Sequence, residues 1–199
     1  MKAGGPPSIV LASTSRYRAE LLRRIVPLFA QVDPGVDEHA LPGEAPAQTA
    51  QRLAEAKARA VATGYPDALV IGSDQVADLD GSSLGKPGDA SGACLQLAAS
   101  SGLSLLFHTA VCVLDTRPVH AVLHAEVDVT RVTFRHLAPD EIARYVERDE
   151  PFDCAGSFRI EALGAALFER VESADPTALV GLPLISLCRL LRAAGVSVF

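Results

Sequence analysis

Two short apolar runs constrain this chain more than any other feature. Ser8-Ile9-Val10-Leu11-Ala12 and Ala68-Leu69-Val70-Ile71 are continuous in hydrophobicity, with no polar alternation after the first serine. Runs of this length, bounded by small polar residues, read as buried strands, and a buried strand must be covered by other elements. The residues between them supply cover. From Pro46 to Ala62 the pattern is helical, with Ala50, Leu53, Ala54 and Val61 on one face and Lys57 on that same face. Ser13-Thr14-Ser15 is a hydroxyl-rich helix start, which predicts a helix through Leu21, Leu22 and Ile25. Residues 29–32 read as a further strand, leading into a loop over 33–38.

The second half of the chain has longer periods. Residues 76–84 read as a hairpin turning at Asp80-Gly81. A helix is expected over 89–99, then two longer strands over 103–114 and 119–134. Pro139 opens a helix with Ile142, Tyr145 and Val146 on one face. A loop over 151–157, a strand over 165–171 and a helix over 184–194 complete the reading. Alternating βα units combined with long paired strands predict an α/β fold with a mixed sheet. At 199 residues the expectation is one domain spanning 1–199.

Charge narrows the function. The net charge is −6 and no Lys/Arg cluster stands out, which argues against a nucleic acid polymer as partner. An anion site in such a chain needs local cations or a bound metal. The four cysteines, 94, 112, 154 and 188, form no CxxC pair and have no histidine at ligand spacing, so they read as buried thiols. No apolar run approaches membrane-spanning length and the first residues lack a signal core. The chain is therefore expected to be cytoplasmic, with no membrane association.

Four places have the residues for chemistry. Ser13-Thr14-Ser15, feeding a helix that carries Arg18 in its first turn, offers backbone N–H groups and a forked donor to phosphate; an ordinary serine cap fits the same letters. Lys57 lies on an apolar stripe and must snorkel, pair with an acid or face a polar cleft. Asp74 follows the buried strand 68–71, at what reads as its mouth, and the hairpin brings Lys86 back to that edge. A carboxylate there can hold a divalent metal or accept a proton from water, or it can simply satisfy a turn. Cys154 to Glu161 reads as a tight loop of small residues ending in a lone acid. Together these are the parts of a polyphosphate site.

The motifs "LASTSRYRAELL", "VDE" at 36–38, "RLAEAKA" at 52–58, "IGSDQV" at 71–76, "GKP" at 85–87, "CAGSF" at 154–158 and "LVGLPL" at 179–184 resemble, in this order, the Maf family of nucleoside triphosphate pyrophosphatases. Within that family "GSDQV" and the Glu161 that follows "CAGSF" resemble the branch acting on 7-methyl-GTP. The resemblance implies a twisted mixed sheet flanked by helices, in two lobes with a central cleft, a Maf/ITPase-like arrangement. It also implies metal-dependent hydrolysis of a nucleoside triphosphate to the monophosphate and pyrophosphate, with Mg²⁺ or Mn²⁺, and a homodimer. By position, Asp74 matches the proton acceptor, with Lys57 and Lys86 as catalytic partners, and Asp74 and Glu38 as metal ligands. Ser13 and Arg18 match substrate-binding positions, and Tyr17, Gln75 and Glu161 match positions associated with choice of base. The alternatives are a dTTP/UTP or broad pyrophosphatase, and a nucleotide-binding regulator of septation without turnover.

Overall fold

The computed structural model describes residues 7–117 and 122–199. Its centre is a seven-stranded mixed sheet. Strands β1 (Ser8–Ala12), β2 (Ala30–Val32) and β3 (Ala68–Leu79) are parallel in the order β2-β1-β3. From β3 onward the sheet is antiparallel, through β5 (Ser104–Asp115), β6 (Leu123–Phe134) and β7 (Phe168–Glu172). The short β4 (Ser82–Leu84) pairs back on the end of β3 through a turn at Asp80-Gly81, both at positive φ. The 118–121 segment, including the predicted strand start at Val119, lies outside the described residues.

Strand alternation sorts the side chains into separate cores. Leu11, Leu69, Ile71, Val111 and Val113 face α1 (Arg16–Arg23) and α5 (Leu184–Ala193). Val10, Ala12, Val70, Val76, Ala110 and Cys112 face α2 (Pro46–Ala62) on the other side. Near the far edge, Leu105, Phe107, Val132 and Phe134 pack under α3 (Ala90–Ser100) and α4 (Pro139–Asp149). Helix α2 comes closest, because its buried face is mostly alanine. A Cβ built on Gly72 would lie 2.1 Å from the Ala54 carbonyl oxygen, so only glycine permits this approach.

The largest correction to the sequence reading concerns β3. The expected strand over 68–71 does not stop at Gly72-Ser73-Asp74. It runs on to Leu79, and Asp74 pairs with Ala110 in mid-ladder. Glycine and small polar residues look like a turn, yet ten rows of antiparallel pairing with β5, from Leu69 to Asp78, hold them extended. The parallel pairing with β1 ends at Ala12 and Gly72, so Asp74 stands just beyond the end of β1. The mouth therefore belongs to β1. Two smaller differences concern ends: Ile25 lies past the end of α1, and 163–167 form a 3-10 turn before β7 begins.

Candidate active site

The extended conformation at Asp74 decides what it meets. Alternate residues point to opposite faces, so Asp74 shares the α2 face with Gly72 and Val76, while Ser73 and Gln75 point the other way. On α2, Lys57 falls on the buried stripe. It is only 3% exposed, and its Nζ lies 2.6 Å from Asp74 Oδ1 and 2.6 Å from Glu38 Oε1. Lys57 thus pairs with acids and does not snorkel. Lys86, returned by the β3–β4 hairpin, reaches Glu38 Oε2 at 3.0 Å. Partial burial works to raise the Glu38 carboxyl, but Lys57 and Lys86 outweigh it and hold it at about 2.

Helix α1 supplies the opposite wall. Ser15 caps it by accepting from the Arg18 backbone N–H at 3.3 Å, and Ser13 Oγ accepts from the Ser15 N–H at 3.1 Å. Arg18 donates through Nε to the Gly181 carbonyl at 2.8 Å and approaches Ser13 Oγ with Nη1 at 3.5 Å. Burial lowers the Arg18 pKa, with Asp74 and Glu38 opposing the shift. Gly181 also accepts from Ser73 Oγ at 3.0 Å, so one carbonyl ties the arginine to the sheet. Ser13, Arg18, Glu38, Lys57, Asp74 and Lys86 all line one cavity of about 930 Å³. That lies within the range of small-molecule clefts.

The same cavity continues to Tyr17, Gln75 and Glu161. Tyr17 stands at the start of α1, with the Arg16 guanidinium carbon 4.7 Å from its ring centroid and Arg16 Nη2 donating to its hydroxyl at 2.6 Å. Glu161 ends a tightly held loop. Phe158 is seated edge-on among Phe107, Phe134 and Phe168, and Ser157 Oγ donates to Gln96 Oε1 at 2.6 Å. Glu161 is exposed on the cleft wall; partial desolvation there pushes its carboxyl up, and its own backbone N–H and Arg159 oppose this. Gln75 differs from the other two. Its amide nitrogen donates to Thr109 Oγ1 and to the carbonyls of Ala178 and Leu179, so its donor capacity goes to the cleft floor. Burial and Asp153 push the Cys154 thiol up to about 12, which leaves it a poor nucleophile.

Several supporting residues were not legible in the sequence. The strap over 33–45 that delivers Glu38 is locked by Arg52. This arginine donates from Nε to Glu44 Oε1 at 2.6 Å and from Nη2 to Glu44 Oε2 at 2.7 Å, and from Nη2 to the His39 carbonyl at 3.0 Å. Gln31 on β2 donates to the Ser13 carbonyl at 2.9 Å. Arg52 sits within the quoted "RLAEAKA", but no spacing rule links it to a glutamate before the helix.

The donor set bears on the metal. Among the described residues no group of three or more His, Cys, Asp or Glu side chains is placed to hold an ion. Asp74 and Glu38 are two carboxylates that already converge on one cation, the Lys57 ammonium. Such a pair suits a hard divalent ion that completes its shell with water and substrate phosphate, and does not suit an all-protein cage. Among the described residues no helix is long and apolar enough to cross a membrane.

A family model described as Maf-like protein matches residues 8–194. The chain is 54% identical over 190 residues to the 7-methyl-GTP pyrophosphatase of Xanthomonas axonopodis pv. citri, covering 95% of this chain and 97% of that protein. It is 54% identical over 187 residues to the 7-methyl-GTP pyrophosphatase of Aromatoleum aromaticum, covering 94% and 95%. Among solved structures, the Staphylococcus aureus Ham1 protein matches 79% of this chain and 89% of its own, at 16% identity and a TM-score of 0.46.

Proposed function

The chain belongs to the Maf family, and from that premise we propose that it is a nucleoside triphosphate pyrophosphatase whose preferred substrate is 7-methyl-GTP. The observation that carries this reading is the convergence of Ser13, Arg18, Glu38, Lys57, Asp74 and Lys86 on one cleft that also holds Tyr17 and Glu161. A triphosphate fits the first group and a base the second.

Arg18, Lys57 and Lys86 neutralise the phosphate oxygens, and the N-terminal amides of α1 face the same anion. Water attacks the α-phosphorus, the bond to the bridging oxygen breaks, and pyrophosphate leaves. Asp74 takes the proton from the attacking water, in a position fixed by its ladder pairing and by Lys57. Asp74 and Glu38, with the substrate's own oxygens, would hold Mg²⁺ or Mn²⁺; such an ion offsets phosphate charge and polarises the phosphoryl group.

The charges at the other end favour a cationic base. Asp149 is paired with Arg159, Asp153 lies near Arg16, and no salt bridge among the described residues reaches Glu161. The Tyr17 ring already carries a cation on its face, the exposed Arg16 guanidinium. A 7-methylguanine ring, positively charged, would replace one cation by another there, an interaction on the order of 0.5–2 kcal/mol. Glu161 would accept from the donors of the guanine Watson–Crick edge.

The test is a pyrophosphate-release panel of 7-methyl-GTP, GTP, UTP and dTTP with Mg²⁺, Mn²⁺ and Co²⁺. The expected outcome is the highest kcat/KM on 7-methyl-GTP. Faster turnover of UTP or dTTP would move the protein to the pyrimidine branch. Tight nucleotide binding without release from any substrate would make it a binding protein.

A further inference from the structure

Behind the base end of the cleft lies a buried group that no site residue above includes. Asp149, at the end of α4, is 3% exposed. Its Oδ2 accepts from Tyr145 Oη at 2.6 Å, and its Oδ1 accepts from Arg159 Nη2 at 2.9 Å. The same Nη2 donates to the Asp149 backbone carbonyl. Tyr145 Oη in turn accepts from the Arg159 backbone N–H at 3.1 Å. Both the side chain and the main chain of Arg159 are therefore fixed to the last turn of α4. Its Nε is buried and has no hydrogen-bond partner.

Arg159 is two residues before Glu161 and follows Phe158, whose ring is locked in the aromatic cluster. Tyr17 on α1 and Glu161 line the same cavity, and both lie near enough for their charges to act on the Arg159 guanidinium. Arg159 thus ties the segment that carries Glu161 to a rigid helix end, while Tyr17 is held separately at the start of α1. The chain around Glu161 closes on the same residue: the Ala162 and Gly164 N–H groups donate to the Arg159 carbonyl at 3.2 and 2.9 Å. Residues 162–163 beyond it are exposed, and the 3-10 turn that follows has no side-chain cap.

We infer that Arg159 is a positioning residue for base selection, setting the separation of Tyr17 and Glu161 through its anchorage to Asp149 and Tyr145. This rests on the reading of the cleft as a nucleotide site. It places the determinant of specificity one layer behind the groups that touch the base. Arg159 does not line the cleft itself, so its loss should act on base recognition and leave phosphoryl transfer nearly intact.

The variants are Arg159→Lys, which keeps charge but not the fork, and Arg159→Met with Asp149→Leu, which removes both members so that no buried carboxylate is left unpaired. Two readouts are taken on each: calorimetric binding of 7-methyl-GMP against GMP, and KM and kcat on 7-methyl-GTP and GTP. Folding is checked by thermal melting. The expected result is a loss of roughly tenfold or more in preference for the methylated base in the double variant. KM for 7-methyl-GTP rises while kcat stays within a fewfold, and Arg159→Lys recovers part of the preference. A folded double variant with unchanged preference overturns the inference alone. A wild type that binds both monophosphates equally overturns it together with the base assignment.

Discussion

At the residue scale, Lys57 is the centre of the site. Its ammonium sits between two carboxylates from different parts of the chain, and neither partner was legible from spacing. The letters placed Lys57 on an apolar stripe, which has three outcomes; only the register of α2 against β3 selects pairing. Glu38 illustrates the consequence for pH. Its folded pKa of about 2 lies below the ordinary value, so its stabilising effect is complete above about pH 5 and is lost as the pH falls towards 2. Glu38→Gln should therefore flatten the fall of thermal midpoint between pH 5 and pH 3, and a curve parallel to wild type would remove Glu38 from that role. Glu161→Gln should lower the kcat/KM ratio of 7-methyl-GTP over GTP by roughly tenfold or more, since an accepting carboxylate becomes half donor. An unchanged ratio would mean that Glu161 does not read the base. Tyr17, Gln75 and Glu161, named through the family resemblance, do line the same cavity, but the donors of Gln75 are spent on Ala178, Leu179 and Thr109.

At the element scale, helix α2 was legible to its last residue, because Pro46 opens it and its alanine stripe has a single period. Strand β3 was legible as 68–71 and as the hairpin arm from Val76, but not through Gly72 to Gln75. Its continuation depends on a partner more than thirty residues away, which no local window contains. The glycine that looked like a stop is the point where α2 touches the sheet. Gly72→Ala should push α2 outward, cost about 1–3 kcal/mol in urea unfolding and separate Lys57 from Asp74. Full stability and activity in that variant would contradict the close packing. The strap gives a contrasting case. Arg52→Met removes the fork to Glu44 and the bond to His39, so Glu38 is less well placed. A 10–100-fold fall in kcat/KM is expected, roughly the effect of losing an outer partner of a ligand. The thermal midpoint should fall as well, because the Glu44 side chain is only 10% exposed and loses its partner; a drop in midpoint with intact kcat/KM would show that Arg52 holds the strap without placing Glu38.

At the scale of the whole molecule, an acidic protein has gathered its few lysines where they count. Two of three lysines reach the proposed polyphosphate end, and with Arg18 they face two carboxylates, leaving that end one charge positive in a chain of net charge −6. The mixed sheet makes this possible. Its parallel half ends with β1 at Ala12, opening the space that the longer β3 crosses. The antiparallel half and α4 hold the loop that carries Glu161, proposed to face the base, across the cleft from α1. Asp74 is where the two halves meet, so the account is tested most directly there. Pyrophosphate release from 7-methyl-GTP is to be measured for the wild type and for Asp74→Asn, each shown to be folded by thermal melting. The account predicts that the wild type yields only the monophosphate and pyrophosphate, and that the variant is slower by a factor on the order of 10²–10⁴. Equal rates in the two folded proteins would contradict it.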